Sequence, residues 1–502
     1  MAKHKVDVVV VGAGNAGLSA AATTAKMGLS TLLLERHNLP GGSATSFRRG
    51  RFEFEPSLHE LAGYGSTEHP GDVRQIFDGL GVKVDMLPVK DAFRSIVTGP
   101  DGYDVTMPVG IPEFLKKMEA EVPGSAESVG NFFKLAGDVG RALAYLSQGR
   151  PDPAVMQRDH SNFMKVADLA TGPVLDALNM PQKAQQILMT YWPYMGMPRS
   201  QFPFVLYSIM VYRYISMSAY IPRHRSHGIS LALEQVIREN GGQIWYNTEV
   251  CRLLMRDGHC CGVQTRDGSE IYADQVIANF YPDRAYGTML DKEQVPAPAR
   301  KLTNARTLGM SGFCVYLGLS KSPEELGIRD YSVFINRTPD SDLQQKGMYT
   351  LDDNDFFIMN CLNIDNPGCS PDGTSLLWAT QLFAPGVWDS VRPEDYKATK
   401  NCIAKKSSDA TRRSWASASP VASRRSPSPH RPPSPAILTR RRALSTGTTA
   451  PGGTPCCPAS WHRAPRNGFP ACTLPAATVS APWATAPPIS TDNKSHRWPP
   501  WT

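Results

Sequence analysis

Six residues near the start of the chain have the types and spacing needed to hold a diphosphate. They follow an apolar run at residues 6–11 and place glycine at the first, third and sixth positions: Gly12, Ala13, Gly14, Asn15, Ala16 and Gly17. The first glycine permits a tight turn, the second lets the backbone approach a pyrophosphate, and the third lets a helix pack closely on a strand. Free N–H groups at a helix N-terminus attract phosphate oxygens, so this pattern predicts a dinucleotide-binding turn.

The elements around the turn agree with this interpretation. Residues 6–11 predict a strand, the Ala-rich residues 15–27 a helix, and residues 31–35 a second strand. Glu35 ends that second strand, where a carboxylate can accept hydrogen bonds from an adenosine ribose. Glycines often mark only a turn, but here strand, turn, helix, strand and terminal acid all agree. The short apolar strands predict a parallel sheet that is covered on both faces.

A second pair of glycines distinguishes between dinucleotides. Gly41, Gly42 and Ser43 follow Glu35 and Arg36 closely, so backbone without side chains is available to a cofactor that lies extended, as FAD does. A plain Pro-Gly-Gly turn is the alternative, and proximity to the first pattern disfavours it. The sequence contains no second G-x-G-x-x-G after a strand, which argues against a separate NAD(P)H domain.

Composition and charge bound the remaining function classes. Residues 401–502 carry 14 Lys or Arg and 2 Asp or Glu, so the formal net charge of +7 arises in that segment and does not indicate nucleic-acid binding. The ten cysteines include no C-x-x-C, and the dinucleotide pattern begins too early for a leader, so we expect a reducing cytoplasm. The apolar run at 202–221 contains Arg213 and predicts a buried helix rather than a membrane span.

The pattern of predicted elements divides the chain. Helices are predicted at 111–121, 128–146, 163–178, 182–195 and 229–239, strands at 243–246, 250–255, 261–265, 270–272 and 275–278, and further strands at 313–319 and 375–382. We therefore assign residues 1–70 and 226–290 to an FAD-binding domain, 71–225 to a largely helical substrate domain, 291–400 to the sheet of that substrate domain, and 401–502 to a tail.

Several strings resemble the phytoene desaturase, carotenoid isomerase and retinol saturase group of amine-oxidase-like flavoproteins. The matching strings cover residues 41–47, 50–55, 58–59, 241–250, 273–279, 315–319 and 366–375, so that the resemblance extends over about residues 5 to 400. It implies an α/β fold with a Rossmann-type, p-hydroxybenzoate-hydroxylase-like FAD-binding domain and an interleaved α+β substrate domain. It also implies an apolar polyene or related lipid as substrate.

The resemblance assigns roles to a few further residues. It places residues 52–59 beneath or beside the flavin ring, which makes His59 a candidate contact, although a structural histidine is an equally good interpretation. It places the backbone of Val250 against the adenine. Five aromatic side chains could line an apolar tunnel or could simply be core: Phe202, Phe204, Tyr207, Tyr212 and Tyr214. Peripheral contact with a membrane stays open, since Arg223, His224 and Arg225 could meet a phosphate or lie on a solvated loop.

The tail departs from the resembled group. That group ends with a Gly-Leu-Tyr-Leu-Ala-Gly-type strand and a helix that closes over the flavin, and the tail lacks such a string. Codons for residues 471–476, read from one base earlier, can spell this sequence. We therefore expect that a frameshift near residues 400 to 410 produced an out-of-frame tail. The 17 prolines beyond residue 400 and the scarcity of apolar residues predict disorder there, and a genuine disordered extension is the alternative.

Taken together, the residues predict an FAD-dependent oxidoreductase that passes a hydride between the flavin and an apolar unsaturated substrate, or uses the flavin to assist isomerisation. Two alternatives remain. One is an amine-oxidase-like flavoenzyme, and the other is a non-catalytic remnant whose flavin site is damaged by loss of the C-terminal motif. Desaturation, saturation and isomerisation share one scaffold, so the sequence does not choose among them.

Overall fold

The computed structural model describes residues 4–56, 58, 60–100, 102–417, 436–440 and 464–465. Their strands, in chain order, are β1 (His4–Val11), β2 (Thr31–Leu34), β3 (Phe47–Arg49), β4 (Phe52–Phe54), β5 (Met86–Pro88), β6 (Asp91–Val97), β7 (Tyr103–Pro108), β8 (Tyr220–Pro222), β9 (Gln243–Trp245), β10 (Val250–Arg256), β11 (His259–Thr265), β12 (Glu270–Ala278), β13 (Arg306–Thr307), β14 (Ser311–Leu319), β15 (Ser332–Asn336), β16 (Phe357–Cys361), β17 (Ser375–Phe383), β18 (Ala436–Arg440) and β19 (Ala464–Pro465).

The helices connect these strands and form most of the segment between β7 and β8. They are α1 (Asn15–Lys26), α2 (Asp72–Leu80), α3 (Ile111–Glu121), α4 (Ala126–Leu146), α5 (Pro153–Asp159), α6 (Ser161–Val166), α7 (Thr171–Ala177), α8 (Gln182–Leu188), α9 (Phe204–Met217), α10 (Arg225–Glu239), α11 (Pro282–Arg284), α12 (Ala297–Asn304), α13 (Pro323–Leu326), α14 (Ser341–Gly347) and α15 (Tyr396–Ser417).

The first sheet confirms the predicted Rossmann-type unit. Its strand order is β10-β11-β12-β1-β2-β9, and β12, β1, β2 and β9 run parallel. One face packs against α1 and α10, with Leu18, Ala21, Ala22 and Leu233 in that core. The opposite face has its own core, in which Val9 and Leu32 pack with Val250 and Val263. The sheet is therefore covered on both faces, as the apolar strands predict.

The second sheet contains strands that the sequence analysis did not assign to it. Its order is β18-β14-β17-β16-β15-β6-β7, so two strands of the segment that we predicted as largely helical belong to it. Strand β6 pairs with β15 in parallel register, Val333 opposite Arg94. The sequence at residues 91–97 shows no regular alternation of apolar and polar residues, and all but one of the residues from Ala92 to Val97 are buried. Periodicity alone cannot identify such a strand.

Two helix predictions were wrong in their details. The single helix predicted at 163–178 is two helices, α6 and α7, and the helix predicted at 182–195 ends at Leu188 and continues as a 3₁₀ turn over Met189–Tyr194. Pro193 lies inside that turn, where it cannot donate an α-helical hydrogen bond. The run at 202–221 forms α9, a buried helix as predicted.

Helix α15 crosses the predicted tail boundary at residue 401. Ile403, Ala404 and Ser407 are buried, and the Ser407 hydroxyl lies 3.5 Å from Gln381 Oε1. Ordered packing therefore continues beyond residue 400. Residues 418–435, 441–463 and 466–502 lie outside the described residues, so the expectation of disorder there stays a prediction.

Candidate functional site

The glycine-rich turn lies where β1 ends and α1 begins. Gly12 has φ +101°, a left-handed conformation that glycine adopts without strain, and α1 starts after Gly14, which has extended backbone. No side chain caps this end of the helix. Gly14, Asn15 and Ala16 are partly or fully exposed, so the first turn of α1 can offer N–H groups to an anion.

The three glycines of the turn are required for different reasons. A Cβ on Gly17 would lie 1.9 Å from the carbonyl oxygen of Gly12, so close packing of helix on strand demands glycine there. Gly12 needs glycine for its φ. At Gly14 the backbone is extended and a Cβ would meet only the amide nitrogen Nδ2 of Asn279, at 3.1 Å. The fold itself therefore does not demand glycine at residue 14, which agrees with the predicted close approach of a ligand there.

Asn279 contacts the glycine-rich turn, and our sequence analysis did not identify it as a site residue. It follows β12, its N–H donates to the Val11 carbonyl at 2.9 Å, and its Nδ2 donates to the Gly12 carbonyl at 3.2 Å. It thus fixes the turn from the neighbouring strand. The signal available was its position after an apolar strand, but only the parallel pairing of β12 with β1 shows that the two strand ends meet.

Glu35 lies beside the turn and is 8% exposed. Its Oε2 accepts a hydrogen bond from the N–H of Ala13 at 2.7 Å, and its Oε1 accepts one from the N–H of His37 at 2.8 Å. Each carboxylate oxygen has a second lone pair, so the group can also accept from ribose hydroxyls. The carboxylate therefore holds the turn while it faces the predicted adenosine site.

The second glycine pair lies directly against the first turn. The N–H of Gly41 donates to the Ala13 carbonyl at 2.7 Å, and Gly41 forms a parallel bridge with Gly14. Gly41 and Gly42 have φ +109° and +55°, and a Cβ on Gly42 would lie 3.3 Å from the Cα of Gly14. Ser43 continues into a 3₁₀ turn. The two turns form one continuous surface of backbone without side chains.

The remaining predicted adenosine contacts also lie near Glu35. The N–H of Thr248 donates to the Glu35 carbonyl at 2.8 Å, which brings the start of β10 and its buried Val250 to this side of the sheet. Arg36 is partly exposed next to Glu35. The structure thus brings the predicted cofactor-binding residues together where β1 and β2 end. They come from the turn after β1, from the end of β2 and the turn that follows it, and from the start of β10.

Glu55 lies within the segment that the resemblance places beside the flavin ring, where the sequence analysis assigned it no role of its own, and it links the glycine turns to α10. Its Oε2 accepts from the N–H of Ser226 at 2.6 Å, and its Oε1 lies 2.5 Å from the Ser226 hydroxyl, which also lies 3.0 Å from the Ala44 carbonyl. A buried carboxylate at the start of a helix complements the helix dipole. Glu55 therefore fixes the chain that leaves the second glycine pair.

The other candidates of the sequence analysis are resolved differently. His59 lies outside the described residues. The aromatic residues Phe202, Phe204, Tyr207 and Tyr214 are buried in a hydrophobic core shared with the second sheet, and Tyr212 packs against it. Arg223 pairs with Asp85, and Arg225 donates to the Glu53 carbonyl at 3.0 Å. Among the described residues, none of the helices is long and apolar enough to cross a membrane.

Comparison with known proteins agrees with this geometry. Residues 10–80 match the model of an NAD(P)-binding Rossmann-like domain. The human all-trans-retinol 13,14-reductase is 27% identical over 361 residues, which cover 68% of this chain and 58% of that protein. The chloroplastic prolycopene isomerase 2 of an Oncidium hybrid cultivar is 21% identical over 424 residues, covering 80% and 68%. The chain thus spans less than two thirds of the length of the retinol reductases it matches.

Among solved structures, putrescine oxidase bound to putrescine has a similar fold, with a TM-score of 0.52, 14% identity, and coverage of 81% of this chain and 82% of that one. The matched domain indicates a dinucleotide cofactor. The resemblance drawn from the sequence strings is confirmed: the chain is similar to the phytoene desaturase, carotenoid isomerase and retinol saturase group of oxidoreductases, and it shares its fold with putrescine oxidase.

Proposed function

We propose that the protein binds FAD and transfers a hydride between this cofactor and an apolar unsaturated substrate of the retinoid, carotenoid or related lipid class. The contact between the two glycine turns carries the proposal. With Gly14 bridged to Gly41 and Gly42 packed on Gly14, the backbone offers a surface that extends past the site of a pyrophosphate. An extended FAD uses such a surface, because its flavin half continues beyond the phosphates.

The chain's own residues would hold the ADP half. Gly12 to Gly17 and the first turn of α1 would hold the pyrophosphate, with Gly41 to Ser43 beside it. Glu35 would accept hydrogen bonds from the ribose hydroxyls, with Arg36 and Val250 near the adenine. When bound, FAD supplies hydride chemistry, and the protein supplies orientation and exclusion of water.

The interior of the substrate domain supports an apolar substrate. The hydrophobic core that joins α3, α4, α8 and α9 to the second sheet is rich in aromatic side chains, including Phe93, Tyr191, Trp192 and Phe334. Aromatic side chains of this kind would stabilise an apolar molecule bound beside them by burial and would give it few polar partners. Two relatives of this chain carry names that refer to polyenes, which favours the same substrate class.

A turnover assay tests the proposal. FAD-loaded protein, photoreduced or oxidised, is mixed with a panel of retinoids, carotenoids, unsaturated lipids and amines, and both the flavin absorbance and the product mass are followed. We expect a polyene either to oxidise the reduced flavin or to reduce the oxidised flavin. Turnover with amines alone would establish the amine-oxidase-like alternative, and failure to retain any flavin would establish the non-catalytic remnant.

Localisation in the cytoplasm, with or without peripheral membrane contact, is part of this proposal. An apolar substrate partitions into lipid, so an enzyme acting on it must take it from a membrane or from a carrier. Co-sedimentation with lipid vesicles distinguishes the two sources.

Substitution of Glu35 tests the ribose assignment. We expect Glu35→Ala to weaken FAD binding by about 1 to 3 kcal/mol, the cost of leaving buried hydroxyls unpaired. That change is roughly 5- to 150-fold in Kd, measured by titrating apoprotein. Since Ala13 also loses its acceptor, FMN binding and thermal unfolding are measured alongside. Unchanged FAD affinity would remove Glu35 from the site.

A further inference from the structure

A cavity of about 440 Å³ lies where the dinucleotide domain meets the second sheet, and none of the residues assigned above to FAD lines it. Its walls come from three parts of the chain: the antiparallel hairpin of β3 and β4, the start of α10, and residues 368–371 between β16 and β17. Helix α10 packs on the first sheet, whereas β16 and β17 belong to the second. The cavity is therefore a feature of the domain junction.

Hydrogen bonds between these parts hold the walls of the cavity together. The side-chain amide of Asn366 donates to the Arg223 carbonyl at 2.8 Å. The guanidinium of Arg225 donates to the Cys369 carbonyl at 2.5 Å and to the Glu53 carbonyl at 3.0 Å. Each of the three parts is thus tied to another one, so the cavity is formed before any ligand enters, as is usual for small-molecule sites.

The lining of the cavity is cationic. It contains three guanidinium groups and one carboxylate, so its formal net charge is +2 when His224 is neutral; the charged residues are Arg48, Arg51, Glu53 and Arg225. The Glu53 carboxylate lies 3.1 Å from the Arg48 guanidinium and 3.8 Å from that of Arg225. One carboxylate does not neutralise three guanidinium groups. The cavity therefore concentrates anions.

Two of the arginines are available to a ligand. Arg51 is exposed, its guanidinium carbon lies 5.3 Å from the ring centre of Phe52, and it forms no ion pair with a described residue. The side chain of Arg48 is 80% exposed, so its ion pair with Glu53 contributes little to stability and can be exchanged for a stronger partner.

The third arginine is fixed in the wall. Arg225 has φ +63°, a left-handed conformation that is strained for a residue with a Cβ. Its side chain is 12% exposed, and only two of the five N–H groups of a guanidinium donate to described residues, the carbonyls of Glu53 and Cys369. Arg225 thus supplies a positioned charge with unused donors, while Arg48 and Arg51 supply mobile ones.

We propose that this cavity binds a phosphate monoester group. Such a group carries nearly two negative charges at neutral pH, which matches the charge of the lining, whereas a carboxylate carries one. Guanidinium groups bind phosphate oxygens through pairs of parallel hydrogen bonds. The volume lies within the range of about 300 to 1,000 Å³ found for small-molecule sites, so part of the esterified molecule also enters. This inference does not depend on the proposed function.

Calorimetric titration of the full chain with inorganic phosphate and with glycerol 3-phosphate tests the proposal. The protein is first saturated with FAD, so that the glycine turns are occupied. We expect both probes to bind, and to bind more weakly at high salt. Gly14→Val should bind them like the wild type without FAD, which keeps the test valid if the chain holds FAD poorly.

Substitution of arginine on the hairpin locates the site. Arg51→Gln retains most of the apolar stem over Phe52 and removes the guanidinium, so it should weaken glycerol 3-phosphate binding by about 10- to 100-fold. Arg48→Gln should act in the same direction. Arg49→Gln is the matched control, because Arg49 is exposed on the same hairpin but does not line the cavity. Its loss of one charge should change the affinity by less than about threefold.

Vesicles distinguish the two sources of the phosphate group. Co-sedimentation with phosphatidylcholine vesicles, with and without phosphatidic acid, is measured in the wild type and in Arg51→Gln. Binding that requires phosphatidic acid and Arg51 would identify a phosphorylated lipid. Binding of glycerol 3-phosphate without vesicle binding would identify a water-soluble ester. Either result supports a phosphate monoester site.

Three results would overturn the inference. They are absence of binding by both phosphate probes and by the phosphatidic acid vesicles, equal weakening by Arg51→Gln and Arg49→Gln, and tighter binding of acetate than of phosphate. The second would show general attraction to a basic surface, and the third a different class of anion. Failure of the chain to bind FAD, with phosphate binding that depends on Arg51, would contradict the proposed function and leave this site intact.

Discussion

Gly14→Val should give a folded protein that purifies without flavin colour. Its backbone is extended, at φ −71° and ψ 167°, which valine adopts readily, and the added Cβ approaches only a side-chain amide, that of Asn279. The same Cβ occupies the space that a pyrophosphate needs above α1. Loss of two charge-assisted hydrogen bonds costs roughly 3 to 6 kcal/mol, or at least about 100-fold in Kd.

Two further glycines make this test specific. Gly17→Val should unfold the turn, because its Cβ would lie 1.9 Å from the Gly12 carbonyl, so it should lower the melting temperature as well as remove flavin. Gly79→Ala lies in α2 with no atom within 4 Å of the added carbon and should change neither property. Full flavin absorbance in Gly14→Val would mean that the dinucleotide-binding turn has been assigned to the wrong residues.

Restoring the reading frame beyond codon 407 should tighten FAD binding and extend resistance to protease to the end of the chain. The open side of β12 provides the physical reason. Within the described residues, positions 273–278 pair with β1 alone, and Asp274, Gln275 and Ala278 are exposed. Strands in the middle of parallel sheets are buried, so this edge lacks a neighbour. The in-frame C-terminal strand of the resembled group would supply it.

Ile403, Ala404 and Ser407 are buried in α15, so we propose that the change of frame lies beyond residue 407. Resequencing codons 395 to 412 and measuring FAD occupancy and limited proteolysis of both versions checks the prediction. In the chain as written we expect weak FAD binding, little turnover and cleavage beyond α15. An intact frame with full occupancy in the 502-residue form would contradict it and leave the tail as a genuine extension.

The dinucleotide turn could be predicted because its chemistry is local. The spacing of the three glycines alone predicts their roles: the first permits the turn, the second lets a ligand approach the backbone, and the third lets the helix pack on the strand. Glu35 follows at the end of the next strand. The predicted packing of α1 and the parallel sheet followed from apolar periodicity. Asn279 and Glu55 could not be found in this way, because their partners Gly12 and Ser226 are 267 and 171 residues away in the chain.

The substrate domain was harder to predict for a related reason. Strands β6 and β7 lie in a segment dominated by helices and join a sheet formed mostly by residues beyond 310. The sequence analysis did not single out Glu60. Its burial and its bond to Tyr194 depend on the packing of the 3₁₀ turn against the domain junction, which no local pattern reports.

The most direct test of the central claim is a titration of the purified chain with FAD, followed by flavin fluorescence, with FMN, NAD⁺ and ADP in parallel. In our proposal the two glycine turns and Glu35 recognise the ADP half, so FAD should bind, ADP should compete with it, and FMN, which lacks that half, should bind at least about tenfold more weakly. These relations hold even if the proposed frameshift makes every affinity low. Equal affinity for FAD and FMN, or a preference for NAD⁺, would contradict the account.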